Sequence, residues 1–266
     1  MTGVNVTLGE LAAALALVAI AAAASLWRKA DLEADLGLAV LRSFLQLTAV
    51  GYVIQAIFDS DSLWLVTVLL MAMVGFGAFT ARGRARGVPG ALGPIVIALA
   101  ISTALTLGLV LALGVFEASA RYLVPVGGMV IGNAMTAAAV ALNRLADEVS
   151  AERGRLEATL ALGATARQAA SGLVTRSLRS GLIPLIDQTK TTGIVTFPGV
   201  LVGSLVAGAE PVDAVRLQLI LLWILLGAVS LAAVVATGLG YRGFFTEAHQ
   251  LREPPADGEP APGSAA

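Results

Sequence analysis

Residues 63–86 read LWLVTVLLMAMVGFGAFTARGRAR. From Leu63 to Thr80 there is no charge; Arg82, Arg84 and Arg86 follow at once. A helix that crosses a bilayer needs roughly 17–25 mostly apolar residues, so this stretch predicts a spanning helix with a basic end. Comparable stretches recur at 11–27, 36–58, 95–113, 123–142, 182–207 and 215–239. The expected fold class is all-α: a polytopic integral membrane protein of about seven transmembrane helices. Six is the alternative count, because 182–207 is interrupted by polar residues.

The composition agrees. Charged residues make up 13% of the 266-residue chain, and the mean hydropathy is +0.85. A soluble domain carries about 25% charged residues, so too few remain here to cover a water-facing surface. The net charge of −1 says little about partners, and no nucleic-acid partner is expected. Cysteine is absent, which excludes disulfides and thiolate metal sites. The one histidine, His249, stands near the C-terminal end. No cofactor is expected in this chain.

Basic residues set the expected orientation. With the N-terminus outside and seven alternating spans, most Lys and Arg fall in inside segments, including Arg28, Lys29, Arg82, Arg84, Arg86, Arg144, Arg153, Arg155, Arg167, Arg176, Arg179, Arg242 and Arg252. Arg121 and Arg216 are left outside. Basic loops stay cytoplasmic, so a multi-pass inner (plasma) membrane location is expected. The residues before the first span lack Lys and Arg, unlike a signal-peptide n-region, so a retained first span is expected. Residues 1–246 read as one transmembrane domain with a polar cytoplasmic segment at 143–181, expected as two or three short helices. Residues 247–266, rich in Pro, Gly and Ala, read as a disordered cytoplasmic tail.

Three ionisable residues fall inside spans: Arg42, Asp187 and Lys190. Each costs roughly 2.5–3.5 kcal/mol on insertion scales unless it pairs, snorkels or lines water. Arg42 and Gln46 share a helix face, as do Asp187 and Lys190. Arg42 and Asp187 lie about 8–9 Å into their spans, so an ion-pair cluster between the two helices is one reading and snorkelling the other. Pro198 and Gly199 predict a kink or break near 197–199, and broken helices at that depth often line transport paths. Gly128 and Gly132, followed by Asn133, and Gly199 with Gly203 are small-residue pairs suited to close helix packing. A tentative translocation path comprises Arg42, Gln46, Asn133, Asp187, Lys190, Pro198 and Gly199. The metal-ligand set stays unknown.

The cytoplasmic run Glu157-Ala-Thr-Leu-Ala-Leu-Gly163-Ala164 resembles the EAA loop of ABC-transporter permeases, a short helix that docks on the ATPase. Ile183-Pro-Leu-Ile-Asp187-Gln-Thr-Lys190-Thr-Thr-Gly193, Phe197-Pro-Gly199 and Gly208-Ala-Glu-Pro211-Val-Asp-Ala-Val-Arg-Leu-Gln218 resemble the FetB-type iron-export ABC permeases, to which the plant aluminium-tolerance permeases are related. Arg42-Ser-Phe-Leu-Gln46 and Pro125-Val-Gly-Gly-Met129 carry the same resemblance. It implies a permease subunit, paired as a homodimer with ABC ATPase subunits, that exports metal ions such as iron. It assigns ATPase coupling to Glu157, Ala158, Leu162, Gly163 and Ala164. Where the family has Pro-Gly-Met-Met, this chain has Pro198-Gly199-Val200-Leu201, losing two soft ligands. No Gly-Lys-Ser/Thr P-loop occurs, so ATP hydrolysis is expected in a partner and the chain itself is not expected to be an enzyme. The alternative reading is an ion-coupled secondary carrier using Asp187 with Arg42 or Lys190.

Overall fold

The structure, a computed structural model, describes residues 8–28, 33–60 and 62–252. Nine α-helices and a 3-10 turn make up the regular structure among them. They are α1 (Leu8–Arg28), α2 (Glu33–Ser60), α3 (Leu63–Arg84), α4 (Leu92–Ala112), α5 (Ala120–Ala151), α6 (Arg153–Ala161), α7 (Ala166–Thr191), α8 (Gly199–Val206) and α9 (Pro211–Gly240), with the 3-10 turn at Tyr241–Phe244. Five helices are long and apolar enough to cross a membrane: α2, α3, α4, α5 and α9. The apolar part of α1, Ala12–Trp27, is shorter.

α5 and α9 form the centre. α5 packs against α3, α4, α7 and α9, and α9 also packs against α4 and α7. Their contact faces are lined with small residues: Ala78, Ala98, Ala134, Ala138, Ala141, Ala232, Ala233 and Ala236 are fully buried. Trp27, Leu47, Tyr52, Trp64 and Trp223 point outward instead. This distribution is what lipid favours: tails solvate large apolar side chains as well as a core does, and small residues let helix backbones approach. Several buried hydroxyls bond back to their own helix, Ser177 to the Leu173 carbonyl (2.8 Å) and Thr237 to that of Ala233 (2.7 Å), whereas that of Thr103 has no partner among the described residues. No backbone or side-chain polar group can rely on water in hydrocarbon.

Several expectations need correction. The polar segment 143–181 is not a row of short helices: 143–151 continues α5, α6 alone is short, and 166–181 begins α7. At 32 residues α5 is about 48 Å long, against about 30 Å of hydrocarbon, so its last turns project beyond the bilayer. The stretch 182–207 is not one spanning helix. α7 runs through Pro184, stops at Thr191, and α8 restarts at Gly199 with Pro198 as its N-cap. The break thus begins about two turns earlier than the proline signalled. Gly193, at φ +87°, sits in it, and Thr189, Thr191 and Thr192 return their hydroxyls to α7 carbonyls. Finally, of the expected packing glycines only Gly128 has a close neighbour, Met73; Gly132, Gly199 and Gly203 face open space in the monomer.

Residues 247–252, expected as the start of a disordered tail, are ordered. Phe245 and Leu251 pair as an antiparallel bridge, and the Thr246 N–H donates to the Gln250 carbonyl (2.8 Å). The rest of the expected tail, 253–266, lies outside the described residues, as do Lys29 and Asp61.

Candidate functional site

The arginines gather at one end of the bundle. The turn after α9 lies against the α3–α4 connection, where a Cβ on Gly243 would meet the Pro89 carbonyl at 2.3 Å. At the same end α5 meets α7 through Glu148 and Arg176. At the other end Arg121 lies over the Phe58 ring (5.9 Å) and Arg216 pairs with Asp213 (3.3 Å).

Glu148, buried in the projecting part of α5, anchors a charge network. It takes Arg144 (2.6 Å) and Arg176 (2.6 Å). Arg176 also bonds Glu152, which pairs with Arg155 (2.9 Å), and Arg153 pairs with Glu157 (2.9 Å). α5, α6 and α7 are therefore tied by salt bridges at their junction. The Arg176 guanidinium donates to Glu148 and holds its carboxyl below the usual carboxylate range, against burial, which acts upward. A depressed carboxylate stabilises the fold above the ordinary carboxylate range and loses that contribution as acid protonates it.

α6 ends in a Schellman motif: Gly163 N–H donates to the Leu160 carbonyl (2.9 Å), and Ala164 N–H to that of Thr159 (3.3 Å). Gly163 sits at φ +89°. α7 then opens on a capping box, the Thr165 hydroxyl accepting from the Gln168 N–H and the Gln168 side chain from the Thr165 N–H. Thr165-Ala-Arg-Gln168 was legible as that signature but is easily passed over beside the stronger EAA-like run. Helix, Schellman turn and capping box make a rigid hairpin. At its tip Leu162 is 90% exposed. Glu157, Ala158, Leu162, Gly163 and Ala164 are thus brought together on this one hairpin.

The tentative path residues are not brought together within one chain. Asp187 pairs with Lys190 on its own helix (3.7 Å). Arg42 and Gln46 lie on α2, which packs against α1 and α5, and Arg42 forms no ion pair with Asp187 among the described residues. The physical reason is placement: α2 is peripheral, and none of its apolar window is buried. Asn133 donates to the Met129 carbonyl of its own helix (2.8 Å). Pro198 and Gly199 open α8 beside the exposed Ile194, Val195 and Phe197. Gln218 was not singled out as a site residue; it is buried in α9, and its side-chain oxygen has no partner among the described residues. In a double-mutant cycle read by thermal stability in detergent, Arg42→Gln and Asp187→Asn are expected to be additive within about 0.5 kcal/mol, as for separated sites. A larger interaction energy would mean that the two side chains meet.

A helical bundle with an alanine-lined core, an apolar exterior and one basic end defines a multi-pass α-helical membrane protein. The chain belongs to the family described as Uncharacterised protein family (UPF0014), which it matches over residues 8–245. It is 39% identical over 241 residues to the UPF0014 membrane protein STAR2 of Oryza sativa subsp. japonica, covering 91% of this chain and 85% of that one. It is 37% identical over 243 residues to Protein ALUMINUM SENSITIVE 3 of Arabidopsis thaliana (91% and 88%). It is 35% identical over 251 residues to the Probable iron export permease protein FetB of Escherichia coli strain K12 (94% and 97%). Of these relatives, one is described as a membrane protein and one as a probable permease. No solved structure matches the chain.

Proposed function

We propose that this chain is the membrane-spanning subunit of an ABC transporter that exports metal ions such as iron. ATP is hydrolysed by a separate ATPase subunit, which docks on α6 and the Gly163 turn. The observation that carries this reading is Leu162, nine-tenths exposed at the basic end of the bundle, away from the apolar belt. Covering a leucine is worth about 1.5–3 kcal/mol, and here a rigid hairpin presents it. The relative described as a probable iron export permease supports export and metal as substrate. The positive-inside rule supports a cytoplasmic position for the basic end and a place in the inner membrane.

The same reading takes residues 1–246 as the permease domain and two copies as the working unit. The exposed faces of α2 and of the Thr192–Pro198 break support a second copy that covers them. Arg42, Gln46, Asn133, Asp187, Lys190, Pro198 and Gly199 then contribute to a path between subunits. A secondary carrier that uses Asp187 with Lys190 as its counter-charge keeps their pairing (3.7 Å) but needs no ATPase, so copurification of an ATPase subunit separates the two readings.

Leu162→Asp tests the docking. The expected result is a loss of ATPase copurification, on the order of tenfold or more as for an interface hot spot, with membrane insertion unchanged. Copurification equal to that of the parent chain would overturn the docking role.

A further inference from the structure

α6 has nine residues. Isolated helices below about 12–15 residues are marginal in water, so tertiary contacts must hold this one. Its only fully buried side chain is Leu156, at 2% exposure, with Leu160 packed at the edge of the core. That gives the short helix a single fully buried apolar anchor.

A second anchor comes from the other end of the sequence. After the 3-10 turn the chain folds back on itself. Arg252 N–H donates to the Phe244 carbonyl (2.8 Å) and its Nε to the Phe245 carbonyl (3.1 Å). The reversal is closed by His249 N–H donating to the Thr246 carbonyl (3.0 Å), with His249 itself at φ +58°. Phe244 and Phe245 are buried in the main core, and Leu251 packs against it. Two contacts then reach the hairpin on either side of its turn. Arg153 Nη1, in the first turn of α6, donates to the Arg252 carbonyl (3.0 Å). Ala166 N–H, in the first turn of α7, donates to His249 Nδ1 (3.4 Å). Between α6 and this loop lies an open-sided cavity of about 520 Å³, lined on one side by Glu157, Leu160 and Ala161 and on the other by Ala248, His249 and Leu251.

We propose that residues 245–252 are a brace that fixes the α6–α7 hairpin to the end of α9, so that a displacement of α6 is carried to α9 as well as to α7. The brace is a positioning device, and its transmission role rests on the coupling reading of α6. His249 supplies an acceptor to an α7 N–H that has no intrahelical partner, as every first-turn N–H lacks one. Arg153 serves two partners at once, Glu157 on α6 and the brace carbonyl. Contacts run without a gap from the hairpin through residues 245–252 to the end of α9, the kind of packed and hydrogen-bonded network that can carry coupling.

The test uses the full chain in nanodiscs, where the absence of cysteine allows specific labelling. A spin label at Ala158 reports on α6. The parent label is expected to be immobilised, and the combination Arg153→Gln with His249→Val to raise its rotational rate several-fold. His249→Asn returns an acceptor and tolerates the left-handed backbone, so alone it keeps the label immobilised. Equal mobility in all three overturns the brace. A second label at Val234 on α9 is read in complex with the ATPase subunit. ATP is expected to shift the parent signal, and the shift to fall by about half or more in the double variant; an undiminished shift overturns the transmission. A parent chain that binds no ATPase overturns the coupling reading and the transmission with it, while the mobility series decides the brace alone.

Discussion

Gly181→Val is expected to lower the melting temperature of the protein in detergent sharply, with a loss of about 3 kcal/mol, the upper end of ordinary overpacking. Gly181 is buried where α7 crosses α5. A Cβ there would lie 2.7 Å from the Ala141 Cβ, 2.9 Å from the Ala137 carbonyl oxygen and 3.3 Å from the Ala141 Cα. None of these atoms is the end of a flexible side chain, so no rotamer change relieves the clash and the helices must separate. Ala137, Ala141 and Gly181 form the close approach on which this crossing depends, as small residues do in membrane helix pairs. Gly181→Ala should cost less than Gly181→Val, and Gly132→Ala, which meets nothing within 4 Å, should cost little. Matched thermal melts of the three variants check the order. Equal stability of Gly181→Val and the parent would mean that the α5–α7 contact is looser than described.

Gly163→Val is expected to abolish ATPase-driven transport while leaving insertion and the transmembrane bundle intact. At φ +89° a non-glycine residue pays about 1–2 kcal/mol, and a β-branched side chain fits that region worst. The Schellman bonds to Leu160 and Thr159 would open, and the direction in which Leu162 is presented would change. Nothing lies within 4 Å of a Cβ at this position, so the effect is conformational and not a clash with the core. Copurification with the ATPase, read beside a melt of the chain alone, separates the two. Full coupling with an unchanged melt would remove the hairpin from the mechanism. Gly163→Asn, which accepts left-handed backbone more readily, should recover part of the loss.

How far the site was legible differs from residue to residue. Gly163 was visible because its requirement is local: a glycine closing an alanine-rich helix marks a left-handed turn. Glu157, Ala158, Leu162 and Ala164 follow it by spacing. Glu148 and Arg176 were not visible as a pair. They stand 28 positions apart, and each reads alone as one more charge in a polar segment. His249 read as tail because nothing in Thr246–Leu251 announces that it meets α6 and α7.

The sequence by itself determined the class of the protein, the positions of the long apolar helices, the basic end and the presence of a break before α8. These depend on the length of apolar runs, on charge and on residues with special backbone needs, all of which are local. Only the tertiary structure decided that α5 and α9 form the centre, that α7 begins outside the apolar stretch and stops at Thr191, that Asp187 pairs with Lys190 and not with Arg42, and that the C-terminal loop contacts the α6–α7 hairpin. In a soluble helix an apolar stripe shows which face is buried. A membrane helix is apolar all round, so the packing face is set by small residues and by partners remote in sequence, and those are settled when the helices meet.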